Sequence, residues 1–244
     1  MPFLIARDLG KRFGEGPSAV EALRGVDLAV DRGEFVAVMG PSGSGKSTLL
    51  SLLGALATPS GGSYAVDGVD IGALDAERRA DFRRDTLGFV FQSFHLLPAL
   101  TLLENVMLPL AVTAGTRAGK AARGRAALER VGLAGKADRL PGEVSGGEAE
   151  RAAVARAIVN RPPLLLADEP TGNLDSRTGR RVMALLEGLS REGVTVVMVT
   201  HSDECARYAH RILHMLDGVL VREEGVREFP SPVAATESAL AVVC

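Results

Sequence analysis

The sequence predicts an α/β fold built on a mainly parallel sheet, and three observations carry that reading. Residues 34–39, 164–167 and 194–200 are apolar runs of strand length without alternation, as expected for strands covered on both faces. Helix-forming stretches separate them. The first run also leads through a glycine-rich loop directly into a helix at 49–56.

In chain order, residues 3–36 read as strands and turns: a short strand at 3–6, a longer one at 20–30, and a turn at Asp31-Arg32-Gly33. A loop at 59–63 precedes a hairpin, 64–66 and 69–71, around Asp67-Gly68. Residues 75–84 are charged and helical. A buried strand at 87–92 ends in Gln92, and an apolar loop follows at 93–98. Residues 101–159 lack strand runs: one helix starts at Thr101 with Glu104 three positions on, an Ala/Arg-rich helix covers 118–131, and another starts at Ser145. A strand at 164–168, a helix at 177–190, a strand at 194–200 and a hairpin at 212–216 and 219–222 around Asp217-Gly218 complete the pattern. From residue 223 the chain reads as a mobile tail.

The bulk numbers narrow the class. The chain has 244 residues and a net charge of −2, so no nucleic-acid-binding surface is expected. Its two cysteines, Cys205 and Cys244, lack metal-site spacing and suit a reducing compartment. No apolar run approaches the roughly 18 residues of a membrane span, and charge arrives too early for a secretory signal. A cytoplasmic location is expected.

Chemistry is concentrated at three places. Residues 40–48 read Gly40-Pro41-Ser42-Gly43-Ser44-Gly45-Lys46-Ser47-Thr48. Backbone N–H groups can approach a polyphosphate where Gly40, Gly43 and Gly45 leave space. The helix that follows turns its positive end to the same spot. Lys46 supplies a point charge for the β- and γ-phosphates, and the Ser47 hydroxyl suits Mg²⁺. The strand at 164–168 ends in Asp168 and Glu169. In a parallel sheet that end faces the ligand crevice, so Asp168 can hold a metal hydration shell and Glu169 can polarise an attacking water. The third place is Ser145-Gly146-Gly147-Glu148. Ser145 reads as an N-cap; the doubled glycine favours close approach of an anion as well. Gln92 can reach a metal ion or water, or simply face solvent. His201 can be structural or contact the γ-phosphate. Phe13 reads as a half-buried strand residue or an adenine-stacking aromatic.

With these motifs in order, residues 1–222 resemble the nucleotide-binding domain of an ATP-binding cassette (ABC) transporter. The resemblance rests on Walker A (residues 40–48), the Q-loop Gln92, the signature Val144-Ser145-Gly146-Gly147-Glu148, and Walker B (164–168) with Glu169. It is completed by the D-loop Asn173-Leu174-Asp175 and the switch histidine His201. It implies a P-loop NTPase (RecA-like) core, an N-terminal antiparallel β subdomain and an α-helical subdomain inserted at about 93–159, with residues 223–244 as the tail. It also implies that Phe13 stacks on adenine. ATP would be bound by Gly40, Ser42, Gly43, Ser44, Gly45, Lys46, Ser47 and Thr48. Mg²⁺ would be held by Ser47, Gln92 and Asp168. Glu169, His201 and Lys46 would serve hydrolysis. Ser145, Gly146, Gly147, Glu148 and Asp175 would reach the ATP of a second copy in a head-to-tail sandwich. A separate membrane permease would dock near Gln92 to Pro98, holding the cassette on the inner face of the membrane. Residues 91–98 and 167–175 are similar to the MacB, LolD and FtsE branch, which implies export, lipoprotein release or cell-division signalling. That branch often carries Leu at the signature start and glutamines after the glycines, where this chain has Val144, Ala149 and Glu150.

The alternatives are a regulatory, FtsE-like ATPase in which transport is not the output, an ABC ATPase of repair or translation, and a P-loop kinase. A kinase would leave Ser145-Gly146-Gly147 and His201 without a role.

Overall fold

In the computed structural model the described residues are 1–228, so Cys244 and most of the expected tail lie outside them. Strand β1 spans Leu4–Phe13 and pairs antiparallel with β2, Val20–Val30. The sequence suggested only 3–6, because alternation fails after Ala6. The failure is a bulge: the register shifts between Ala6 and Leu9, and Asp8 adopts φ 46°. An extra residue flips the faces that follow, which hides a continuing strand from a period-2 reading.

Strand β3, Phe35–Met39, leads into α1, Lys46–Leu53. Strands β4, Gly61–Val66, and β5, Val69–Asp70, complete an antiparallel sheet in the order β2-β1-β4-β5. Helix α2, Ala76–Thr86, is N-capped by Asp75 and runs into β6, Leu87–Val90. Helices α3, Leu102–Met107, α4, Arg117–Arg130, and α5, Gly146–Ile158, pack on one another. Then come β7, Leu164–Asp168, α6, Ser176–Arg191, β8, Thr195–Thr200, the short α7, Asp203–Ala206, and the hairpin of β9, Arg211–Leu216, with β10, Val219–Gly225.

The second sheet has the order β10-β9-β3-β8-β7-β6, with β10 alone antiparallel to its neighbour. β10 continues three residues past the expected end at Arg222, so the chain from 223 to 225 is strand and not tail. Glu223, Glu224 and Gly225 pair with Leu213, Ile212 and Arg211, and the Arg211 guanidinium holds Glu223 at 3.0 Å. An exposed polar edge strand has no hydrophobic pattern to announce it.

β3 explains the absence of alternation in the core strands. Phe35, Ala37 and Met39 join an apolar cluster with α3, α4, α5 and α6. Val36 and Val38 join a second cluster with α1 and the antiparallel sheet. With apolar layers on both faces, no position favours a polar residue. The carboxyl ends of β3, β6, β7 and β8 therefore come out along one edge, carrying Gly40, Gln92, Asp168 with Glu169, and His201. That edge is where a parallel sheet places its ligand crevice.

Candidate nucleotide-binding site

A cleft of about 930 Å³ opens at that edge, lined by residues of the 40–48 loop together with Gln92, Asp168, Glu169 and His201. The loop closes over the start of α1. Gly45 is the N-cap at φ 102°, and a Cβ there would meet the Ala22 carbonyl at 2.5 Å. A Cβ on Gly40 would lie 2.1 Å from the Met215 carbonyl. These two glycines let the loop pack against β2 and β9. Gly43, at φ 81° with open space around it, is the one whose missing side chain clears the cleft. Lys46 is only 9% exposed, and its ammonium donates to the Gly40 and Pro41 carbonyls at 2.8 Å each, which fixes it at the cleft wall. Ser44 sits behind the loop: it is buried, its carbonyl accepts from Gly218 N, and its side chain is off the cleft wall.

Across the same cleft, the Ser47 hydroxyl and the Asp168 carboxylate share the wall with Lys46. Burial and the adjacent Glu169 charge push Asp168 above the usual carboxylate range, while Ser47 and Lys46 pull it back. Asp168, the Ser47 hydroxyl and the Gln92 amide, all on the cleft wall, are oxygen donors of the kind Mg²⁺ takes. Among the described residues no group of three His, Cys, Asp or Glu side chains forms a metal cage. Mg²⁺ is suited to such a site because it is usually held by one or two protein oxygens together with substrate phosphates.

Glu169 is held tightly. Its Oε2 accepts from the Thr200 hydroxyl at 3.1 Å, and its Oε1 lies 2.8 Å from His201 Nδ1. An ionised carboxylate only accepts, so Nδ1 carries the proton and Nε2 remains available. His201 itself is 71% exposed, open to the cleft mouth. The Glu169 backbone adopts φ 46°, a left-handed conformation that costs a non-glycine residue on the order of 1 kcal/mol. It is fixed by Glu169 N donating to Val199 O and Gly172 N donating to Glu169 O, both at 3.0 Å.

The start of α5 lies elsewhere. Ser145 is its N-cap in a capping box with Glu148, and Ser145 and Gly146 are exposed but absent from the cleft wall. This helix N-terminus, with an open glycine, faces solvent away from its own cleft.

The comparisons agree with this geometry. A family model described as ABC transporter matches residues 23–172. The chain belongs to the ABC transporter family. The lipoprotein-releasing system ATP-binding protein LolD of Bordetella pertussis is 50% identical over 220 residues, covering 90% of this chain and 95% of that protein. The macrolide export ATP-binding/permease protein MacB of Marinobacter nauticus is 45% identical over 230 residues, but this chain spans only 36% of its length. A solved dimeric structure of the ATP-binding cassette MJ0796, in a post-hydrolysis state with ADP and Pi, superposes with a TM-score of 0.85. It is 42% identical and covers 93% of this chain and all of that one.

Within this cassette the remaining expected residues fall in two groups. Ser42, Ser47 and Thr48 line the cleft. Phe13 does not: it ends β1, is 49% exposed and lies under the Lys11 ammonium, while its strand partner Val20 is on the wall. Asp175 caps α6 by accepting from Arg177 N and Thr178 N, and borders a smaller cavity with Glu169 and His201. Glu148 is occupied by its capping box and by Lys136 at 2.7 Å, which together hold it down to about 2. Ala149 and Glu150 are buried, so those two departures from the usual signature present no side chain to a second copy. The sequence reading missed Glu21, Arg24 and Asp217 on the wall, and Thr200 behind Glu169. Of these only Thr200, a polar residue closing a buried strand, carried any signal.

The doubled glycine resolves into two jobs. A Cβ on Gly147 would meet Thr178 Cγ2 at 2.0 Å, whereas one on Gly146 would meet nothing nearer than Phe94 at 3.9 Å. Gly147→Ala is therefore expected to cost about 1–3 kcal/mol as overpacking, read as a melting point lower by roughly 3–10 °C. Gly146→Ala should leave melting within about 2 °C, because the new methyl meets only the Phe94 ring, at ordinary van der Waals distance. It should nevertheless depress nucleotide turnover at least about tenfold if that surface meets a phosphate. Equal melting losses in both variants would contradict the assignment.

Glu150 gives a pH test. It is 1% exposed, its Oε1 has no partner, and burial pushes its carboxyl up to about 8 against the pull of Arg156. The folded value lies above the unfolded one, so folding takes up a proton, and stability falls as pH rises from about 4.5 to about 8. Glu150→Gln stays neutral. Its melting point is expected to match the parent near pH 4.5 and to exceed it by roughly 5 °C at pH 8. A constant difference across that range would remove the burial explanation.

Proposed function

We propose that this chain is the ATP-binding and ATP-hydrolysing subunit of an ABC transporter. Two copies would close head-to-tail over two ATP molecules and drive a separate membrane permease. The observation that supports this reading is the separation of two glycine-bearing helix ends. The start of α1 opens into the cleft, while Ser145 and Gly146 at the start of α5 are exposed and off its wall. A triphosphate gripped by both ends needs the second from another copy.

Each side chain has a role consistent with its surroundings. Lys46 and the N–H groups of the loop hold the β- and γ-phosphates. Glu169 accepts a proton from the attacking water, and His201, fixed through Nδ1, orients that water and the γ-phosphate with Nε2. Bound Mg²⁺, held by Ser47, Gln92 and Asp168, would neutralise developing charge on the phosphates. Closure that depends on the γ-phosphate is released when that bond is cut. Phe13 remains the proposed adenine contact, Asp175 and Glu148 contact the opposite copy, and residues 93–159 form the helical subdomain.

No helix among the described residues is long and apolar enough to cross a membrane. A permease docking near Gln92 to Pro98 would hold the cassette at the cytoplasmic face. The relatives named for export and lipoprotein release favour transport over a signalling output. The test is direct: purified chain with Mg-ATP should release phosphate, and a nonhydrolysable analogue should shift it from monomer to dimer in a sizing measurement. A chain that stays monomeric and releases no phosphate at saturating nucleotide would end this proposal.

A further inference from the structure

The loop from Gln92 to Leu97 is gripped through its backbone by three side chains from different places. Asn173 Nδ2 donates to the Gln92 carbonyl at 2.8 Å. Asn105, fully buried on α3, accepts from Leu97 N at 2.7 Å and donates to Leu97 O at 3.1 Å. Between them, Arg156 of α5 donates to two successive carbonyls, Phe94 O at 2.8 Å and His95 O at 2.5 Å. Two neighbouring carbonyls converge on one guanidinium where the His95 backbone turns left-handed, at φ 46°. At the other end of α5, the Phe94 ring comes within 3.9 Å of a Cβ placed on Gly146. The loop that carries Gln92 into the cleft is thus fastened along the helix that begins at Ser145.

We infer that Arg156 is the positioning residue that makes the Gln92 loop and the partner-facing end of α5 move as one body. This rests on the proposed function, since it links the side of the cassette that feels its own nucleotide to the side that grips the other. The chemistry explains the residue type. A planar guanidinium can serve two carbonyls in fixed directions, and an ammonium on a flexible stem cannot hold both at those angles. A helix transmits the displacement because it is stiff over its length, while the loop alone would absorb it.

The test is Arg156→Lys, measured by steady-state ATP hydrolysis. The expected result is a fall in kcat of about tenfold with KM for Mg-ATP within about twofold, because the 40–48 loop is untouched. In a Gln92→Ala background the same change should add no more than about twofold, since it acts through that loop. An unchanged kcat, or losses that multiply fully, would overturn the inference. Amide hydrogen exchange on the unaltered chain needs no variant to fold. Residues 93–97 and 146–150 should gain protection at the same Mg-ATP concentration, and separate responses would overturn the coupling. A chain that binds ATP without hydrolysing it would sink the functional reading, while the exchange measurement would still decide on Arg156.

Discussion

Glu169→Gln is expected to lower phosphate release by two to four orders of magnitude, the range associated with losing a positioned general base. ATP binding should be kept, and the protein should accumulate as a dimer. The amide has the shape of the carboxylate and can still accept one of its two hydrogen bonds, from Thr200 or from His201. What it loses is the ability to take a proton. Binding should survive because Lys46 and the glycine loop lie on the opposite wall. Affinity should rise if anything, since one fewer negative charge then faces the triphosphate. With the γ-phosphate intact the two copies have no reason to part. Single-turnover phosphate release and sizing in Mg-ATP check the two halves. Hydrolysis near the parent rate would remove Glu169 from the chemistry.

The second large effect is expected from Ser145→Arg. Losing the cap costs about 1 kcal/mol, a small penalty for a helix whose inner face is buried. A bulky cation over the helix end would shut the anion site, so hydrolysis should fall at least about a hundredfold. ATP binding to the monomer should be unchanged, because Ser145 is not on the wall of its own cleft. Mixing this variant with Lys46→Ala gives a sharper answer. A mixed dimer has one site with an intact lysine from one copy and an intact serine from the other, so activity absent from both parents should return. No recovery would mean that both groups serve the same copy's nucleotide.

Much of the candidate site was legible because its signals are local. Gly43, Lys46 and Ser47 lie within a few residues of one another, and a strand–loop–helix spacing fixes their backbone. Asp168 and Glu169 close a strand, and Ser145 with Glu148 is a capping box visible in four letters. Other features gave no such signal. The β1 bulge at Asp8 erased the alternation that marks a strand, and β10 extends along an edge where side chains face water. Gly40 and Gly147 were attributed to phosphate approach, yet their hydrogens face Met215 O and Thr178.

The sequence by itself determined the family, the α/β order of elements and the residue types suited to a triphosphate, since each depends on spacing within one turn or one strand end. Only the tertiary structure decided which glycines serve packing, that Glu150 is buried, and that Arg156 holds the Gln92 loop. Those contacts join residues tens of positions apart, and no periodicity along a chain encodes which distant backbone a side chain will reach.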